Sequence, residues 1–346
     1  MVTRKLFMAI LCFYQIILVS EAFAQSPITA NELIDRTPLK KHLKALESGE
    51  IVIVSRSNAE IDTELEVIIS VLIPAPLNKT VDVLQSQSPG KDTPGVLFMQ
   101  EITGKDSASE LAGIFNKVTF GPSESDEVKQ LMTIGPGNKY NLSKEEIAVF
   151  QRTAKGVKTG TTGDKAMAKA MGEVLKNRYL SYRKNGLKGV MPYQISASEQ
   201  ASPAKELIAA TESSVIIKEK FPNYYRCLRF YPDQNGSNFA QQFFLVKQQE
   251  EDRPMFALKH LIMDIQPDYA LITERQYYMS HSLNSLQVVI SCLPYKNGTL
   301  VVLLNQVFTE AVNVTMGEGV VKKVGRVIVK KKILPIFENL RAAFKK

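Results

Sequence analysis

The sequence predicts an α+β fold: a curved antiparallel β-sheet packed on a long C-terminal helix, with a helical insertion interrupting the sheet. Three observations lead there. Five strand-like runs between Phe239 and Phe308 follow one another with short turn-forming stretches between them. From Gly319 to Lys346, apolar residues recur at helical spacing. Between about residue 85 and residue 231 the pattern is irregular and then helical.

The 346 residues are 45% hydrophobic and 23% charged, which excludes a disordered or fibrous chain. A chain of this length buries a core without metal or disulfide support, as one large domain or two of ordinary size. The net charge of +8 is scattered except near the C-terminus, so it bears on encounters with anionic surfaces and not on the fold.

Residues 1–24 read as a secretory signal: Arg4 and Lys5, an apolar stretch from Leu6 to Val19, then Ala22-Phe23-Ala24 before a cleavage point. That apolar run, about 14 residues, is short of the ~20 that span a bilayer. Export to the periplasm or the extracellular space is the expectation, with 25–346 forming a single domain. Cys12 lacks the small flanking residues of a lipidated cysteine. Cys227 and Cys292 remain, and an exported compartment permits them to pair or to stay as two buried thiols.

Along the mature chain, Pro38 to Glu50 reads as a short helix ended by Gly49. Ile51–Ser55 and Leu65–Ile73, rich in Val and Ile, form a hairpin that Pro74-Ala75-Pro76 halts. Asn78 then caps a short helix to Leu84. Ser143-Lys144-Glu145-Glu146 is a capping box opening a helix through Phe150. Asp164 caps the next, whose stripe is Ala166, Met167, Ala170, Met171, Val174 and Leu175. A third helix runs from about Ala204 to Lys220.

The five later strands are Phe239–Lys247, Met255–Ile265, Ala270–Ser280, Leu286–Leu293 and Leu300–Phe308. Pro254, Pro267-Asp268, Asn284-Ser285 and Asn297-Gly298 bound them, the last being the strongest hairpin signal in the chain. The terminal helix carries Val320, Val324, Val327, Ile333, Phe337, Leu340 and Phe344 on one stripe and kinks near Pro335. A sheet of this size has an apolar face to cover, and the terminal helix is the cover. An apolar cavity left between a curved sheet and one long helix is a ligand site.

Glu64 to Leu84, ELEVIISVLIPAPLNKTVDVL, joins an extended strand, an Ala-Pro step and a short helix. With the order of elements, it resembles the first strand and first helix of the START superfamily. The resemblance implies a helix-grip fold that holds a lipid or other hydrophobic molecule between sheet and terminal helix. LESGEIVIV, SYRKNGLKGVMPY, LKHLIMDI, RQYYMSHSL and LPIFENLR also resemble a group of exported bacterial proteins that brings no known activity. The stretch from Gln85 to Tyr231 is longer than a minimal helix-grip domain has, so it lids, fills or replaces the cavity.

If Pro267-Asp268 centres its hairpin so that Ile265 faces Ala270, His260 lies across from Arg275. Leu258, Ile262, Thr273 and Tyr277 then share that face. Leu258, His260, Ile262, Arg275 and Tyr277 are the candidate ligand contacts: the polar three orient a head group and the apolar two meet a tail. An internally satisfied hydrogen-bond group is the competing reading, and a one-residue slip would reverse the faces.

Two further functions stay open. One is an enzyme using His260 or His281 with Arg275 and Tyr277 on a small hydrophobic substrate. The other is a protein-interaction module with a filled core. Ser280 and His281 are adjacent in a strand and point apart, which disfavours a nucleophile and base pair. With only His42, His260 and His281, and no His-x-x-x-His or Cys-x-x-Cys, no metal or other cofactor is expected. Thr159 to Lys165 lacks the Gly-Lys-Ser/Thr step of a phosphate loop. Lys322, Lys323, Arg326, Lys330, Lys331 and Lys332 form either a solvated face or a contact with an anionic membrane surface. Nucleic acid is not an expected partner.

Overall fold

The computed structural model describes residues 27–56, 63–87, 95–103, 107–135, 137–157, 160–233, 238–250, 252–310 and 333–344. The expected signal segment, the basic run from Lys322 to Lys332 and the first part of the expected terminal helix lie outside the described residues.

The protein is α+β, built on one eight-stranded antiparallel sheet. Its strands are β1 (Val52–Arg56), β2 (Glu64–Ile73), β3 (Val96–Glu101), β6 (Ala240–Glu250), β7 (Arg253–Ile265), β8 (Ala270–Met279), β9 (Ser285–Tyr295) and β10 (Gly298–Phe308). A separate two-stranded ribbon pairs β4 (Tyr193–Gln194) with β5 (Gln200–Ala201). The sheet order is β1-β2-β10-β9-β8-β7-β6-β3. The opening hairpin is thus part of the same sheet, and β2 lies against β10 in a register that sets Val71 opposite Val301. β3 falls in the stretch whose pattern is irregular; it closes the far edge, and the insertion begins after it.

Seven of the helices connect or precede the strands on one side of the sheet: α1 (Ala30–Asp35), α2 (Leu43–Glu47), α4 (Ala108–Phe115), α5 (Ser125–Met132), α6 (Lys144–Lys155), α7 (Thr161–Asn185) and α8 (Pro203–Glu212). α9 (Val215–Lys220) and α10 (Pro222–Phe230) join them there, whereas α3 (Leu77–Gln87) and α11 (Leu334–Ala342) pack on the other side. Both faces are therefore covered. β2 accounts for this locally: ELEVIISVLI is buried at all but one position, and its stretch from Val67 to Ile73 is apolar on both faces except at Ser70, the pattern of a strand dry on both sides.

On the insertion side, Met167, Met171, Val174, Leu175, Tyr179 and Tyr182 of α7 pack against Phe243, Leu258 and Tyr277. On the opposite side, Ile333, Phe337 and Leu340 share a cluster with Leu77, Val81 and Leu84 of α3 and with Val67, Ile69, Val301 and Leu303.

Several local readings are corrected. Pro38–His42 is 3-10 and only Leu43–Glu47 is α-helical. α3 begins at Leu77, which puts Asn78 inside its first turn. α7 begins at Thr161 after Gly160, so Asp164 sits in the first turn, where its charge still complements the helix dipole. The single helix expected over Ala204–Lys220 is two, α8 and α9. In α11 Pro335 falls in the first turn of the described helix, and the part of the terminal helix expected before it, on which the kink was read, lies outside the described residues.

The last hairpin turns on Lys296 and Asn297, with Lys296 at φ 51° and Tyr295 paired with Gly298. Gly298 is there because its Cα faces the Ile73 carbonyl oxygen; a Cβ would lie 2.2 Å from it. The capping box at Ser143 is present, with the Glu146 carboxylate accepting from the Ser143 amide at 2.7 Å. Cys227 and Cys292 are both free thiols, in clusters on opposite sides of the sheet.

Candidate functional site

The β7–β8 hairpin adopts the register in which Ile265 pairs with Ala270 and His260 with Arg275. A shift between Leu258 and Lys259 opposes Tyr278 to Leu258 and leaves Tyr277 as the extra residue. Such a bulge re-aims side chains, and both tyrosines enter the insertion-side core. Leu258, His260, Ile262, Arg275 and Tyr277 are each at most 1% exposed. The fold brings the polar three together, with Leu258 in the cluster under α7 and Ile262 in the neighbouring one under α10.

The expectation that this face looks toward the terminal helix is corrected, because α11 packs on the opposite face. Side chains of the insertion fill the space over His260 and Arg275. Tyr182 of α7 stacks on Tyr277 with ring centroids 3.9 Å apart and sits edge-on to His260 at 5.6 Å, while Phe243, the cross-strand neighbour on β6, stacks on His260 at 4.1 Å.

Arg275 donates to Gln287 Oε1 at 2.8 Å, Thr211 Oγ1 at 3.1 Å, the Leu228 carbonyl at 3.0 Å and the Tyr182 hydroxyl at 3.2 Å. All are neutral. Because Tyr182 accepts from Arg275, its own proton goes to His260 Nδ1 at 2.9 Å, and His260 Nε2–H donates to Gln241 Oε1 at 3.0 Å. Burial first, then the Arg275 charge, holds the imidazole well below its usual pKa. The result is a neutral, oriented ring in a closed network.

His281 and Ser280 point apart. Ser280 Oγ accepts from the Phe256 amide, whereas His281 Nε2 donates to the Pro254 carbonyl. Burial lowers the His281 pKa to about 4. The thiols are inert for the same reason, raised by burial to about 11 at Cys227 and about 12 at Cys292. Among the described residues no group of three or more His, Cys, Asp or Glu is arranged to hold a metal.

A groove of about 1290 Å³ opens between α9, α10 and the ends of β6 and β7, lined by Phe221, Tyr224, Phe239, Met263, Ile265 and Tyr269. None of the five sequence-derived candidates lines it. Its charges are already engaged: Glu219 with Arg36 at 2.6 Å, Lys220 with Glu32 at 2.8 Å and Glu212 with Arg229 at 2.8 Å.

The terminal-helix face has a different character. Three register rows cross it: Phe244-Lys259-Gln276-Leu286-Val307, Gln242-Leu261-Glu274-Val288-Asn305 and Ala240-Met263-Ile272-Ile290-Leu303. On the central strands β8 and β9, Glu274, Val288 and Ile290 are only half-buried, so solvent reaches the sheet there. Lys259 Nζ pairs with Glu274 Oε1 at 3.0 Å, and Gln276 Nε2 donates to the same oxygen at 2.7 Å. Gln276 Oε1 and Asn305 Nδ2 are buried without a hydrogen-bond partner.

Sequence reasoning passed over these residues because Lys259, Glu274 and Gln276 read as the solvent-facing positions of alternating strands. The signal that would have found them is the apolar company of Leu261, Ile272, Val288 and Ile290 on the same face. Compared with family models, with curated proteins and with solved structures, the chain matches none.

Proposed function

We propose that this protein is an exported, non-enzymatic carrier of a hydrophobic or amphipathic molecule, built as a helix grip, with the ligand on the sheet face that carries the terminal helix. The observation that carries the reading is the half-buried apolar pair Val288 and Ile290 at the middle of that face. Central strands in a solidly covered sheet are dry, so this patch is an incompletely filled apolar surface suited to a guest chain. The strand order supports the helix grip. β2 and α3, the segment resembling the START superfamily, lie beside β10, and α3 and α11 pack together on the patch side.

The Arg4 to Ala24 pattern supports export. The basic run from Lys322 to Lys332 would bring the loaded carrier to an anionic membrane surface. Against an enzyme built on His260, His281, Arg275 and Tyr277 stands the burial of all four side chains.

The test is Nile red uptake and native mass spectrometry of the lipid-extracted mature protein. The wild type takes up the dye and retains lipid adducts. Val288→Arg and Ile290→Arg, placed where arginine reaches solvent, lose uptake while keeping the circular dichroism of the parent. Undiminished uptake in both variants, or no uptake by the wild type, overturns the proposal.

A further inference from the structure

We infer that the terminal-helix face carries a polar subsite for an uncharged, hydrogen-bonding head group, formed by Gln276, Asn305 and the Lys259–Glu274 pair. The inference rests on the carrier reading and adds the class of ligand. Gln276 is 6% exposed and Asn305 1%, yet Gln276 Oε1 lacks a donor and Asn305 Nδ2 lacks an acceptor. Buried polar atoms without partners are rare, and each asks for a group the protein itself does not supply. Other such atoms, the Tyr277 and Tyr278 hydroxyls and Gln287 Nε2, lie on the insertion face under packed side chains. Gln276 and Asn305 instead flank the patch that solvent reaches.

Placement fixes the geometry a ligand must meet. Glu274, Val288 and Asn305 stand in one row on three successive strands, which sets Glu274 and Asn305 roughly 10 Å apart, with Gln276 roughly 7 Å along the strand from Glu274. A head group seated over Leu286 and Val288 donates a hydroxyl or amide proton to Gln276 Oε1 and offers an oxygen to Asn305 Nδ2. Its chain then follows the apolar row of Ile272, Ile290 and Leu303.

Charge excludes the alternatives. Lys259 and Glu274 already neutralise each other at 3.0 Å, with side-chain exposures of 9% and 22%. Because the pair already neutralises itself, a carboxylate, phosphate or ammonium head group would give up its hydration with no free counter-charge to repay it, whereas a neutral head group avoids that cost.

The experiment is displacement of Nile red from the lipid-extracted mature protein by a fatty alcohol, the fatty amide and the fatty acid anion of equal chain length. The alcohol and the amide are expected to compete about tenfold better than the anion. Gln276→Leu combined with Asn305→Leu brings the three to equality, and Glu274→Gln, which frees Lys259, reverses the order in favour of the anion. Equal competition by all three, or a preference for the anion, in the wild type overturns the head-group inference and leaves the carrier reading standing. That comparison needs no variant to fold. Failure of every competitor to displace bound dye, or of the dye to bind, overturns the carrier reading and the subsite with it.

Discussion

Arg275 is a guanidinium taken wholly out of water with four neutral acceptors and, among the described residues, no ion-pair partner. Such a charge persists only where its hydrogen bonds are complete, and Gln287, Tyr182, Thr211 and Leu228 supply them from a strand and three helices. His260 and His281 are the other price of dense packing. Their pKa values are depressed in the folded state, so the unfolded chain binds protons that the native protein refuses. Stability is full above the unfolded value of about 6.5 and falls as pH drops through the window from there toward about 4 at His281. Each histidine contributes at most about 1.4 kcal/mol per pH unit. Urea midpoints measured from pH 7 to pH 4 should decline, and His281→Asn should flatten that decline. Arg178 and Glu146 form a buried fork at 2.7 and 2.6 Å. Arg178→Met leaves the carboxylate uncompensated and is expected to cost about 3–5 kcal/mol, and adding Glu146→Leu is expected to recover only part of it, because the Ser143 amide then loses its capping acceptor.

At the scale of elements, the regular strands were legible because their side chains obey a period of two and their turns carry Pro, Asp, Asn and Gly. β3 was not, since Val96–Glu101 is a short edge strand whose residues are all half-buried or exposed. The division between α8 and α9 was hidden for a related reason. Ser213 and Ser214 interrupt a pattern that is otherwise continuous, and the interruption is set by the hydrogen bonds of both hydroxyls to the Ala210 carbonyl. The last hairpin was recognised from Asn297-Gly298, and the structure adds that Gly298 answers a tertiary demand, the approach of the Ile73 carbonyl, and not a turn dihedral. Gly298→Ala should therefore cost at least about 2 kcal/mol in chemical unfolding, the range of core overpacking. Phe337 is 2% exposed in α11. Phe337→Ala is expected to cost about 3–5 kcal/mol, and a loss under about 1 kcal/mol would show that the terminal helix is not docked through that ring.

For the whole molecule, the consequential fact is that the sheet is covered twice. The insertion closes the face bearing His260, Arg275 and Tyr277, and the patch that solvent reaches lies on the other face, beside α3 and α11. A guest on an apolar surface gains about 0.8 kcal/mol for each methylene it buries. Competition against Nile red by a homologous series should therefore improve roughly tenfold for every two methylenes until the patch is filled. A flat series would place the dye on polar surface.

By itself the sequence determined the antiparallel strands, the capping box at Ser143 and the helical nature of the insertion, and it offered the pairing of His260 with Arg275 only on condition that Pro267-Asp268 centres the turn. Each follows from periodicity or turn chemistry within a few residues. Only the tertiary structure decided that β2 pairs with β10, that β3 completes the sheet and that α7 and α11 lie on opposite faces. Alternation tells which side chains share a face, but not which face a distant helix will cover; that depends on where the chain returns after long connections. His260 thus stood out in sequence where Gln276 did not, and packing sealed the first while leaving the second beside open apolar surface.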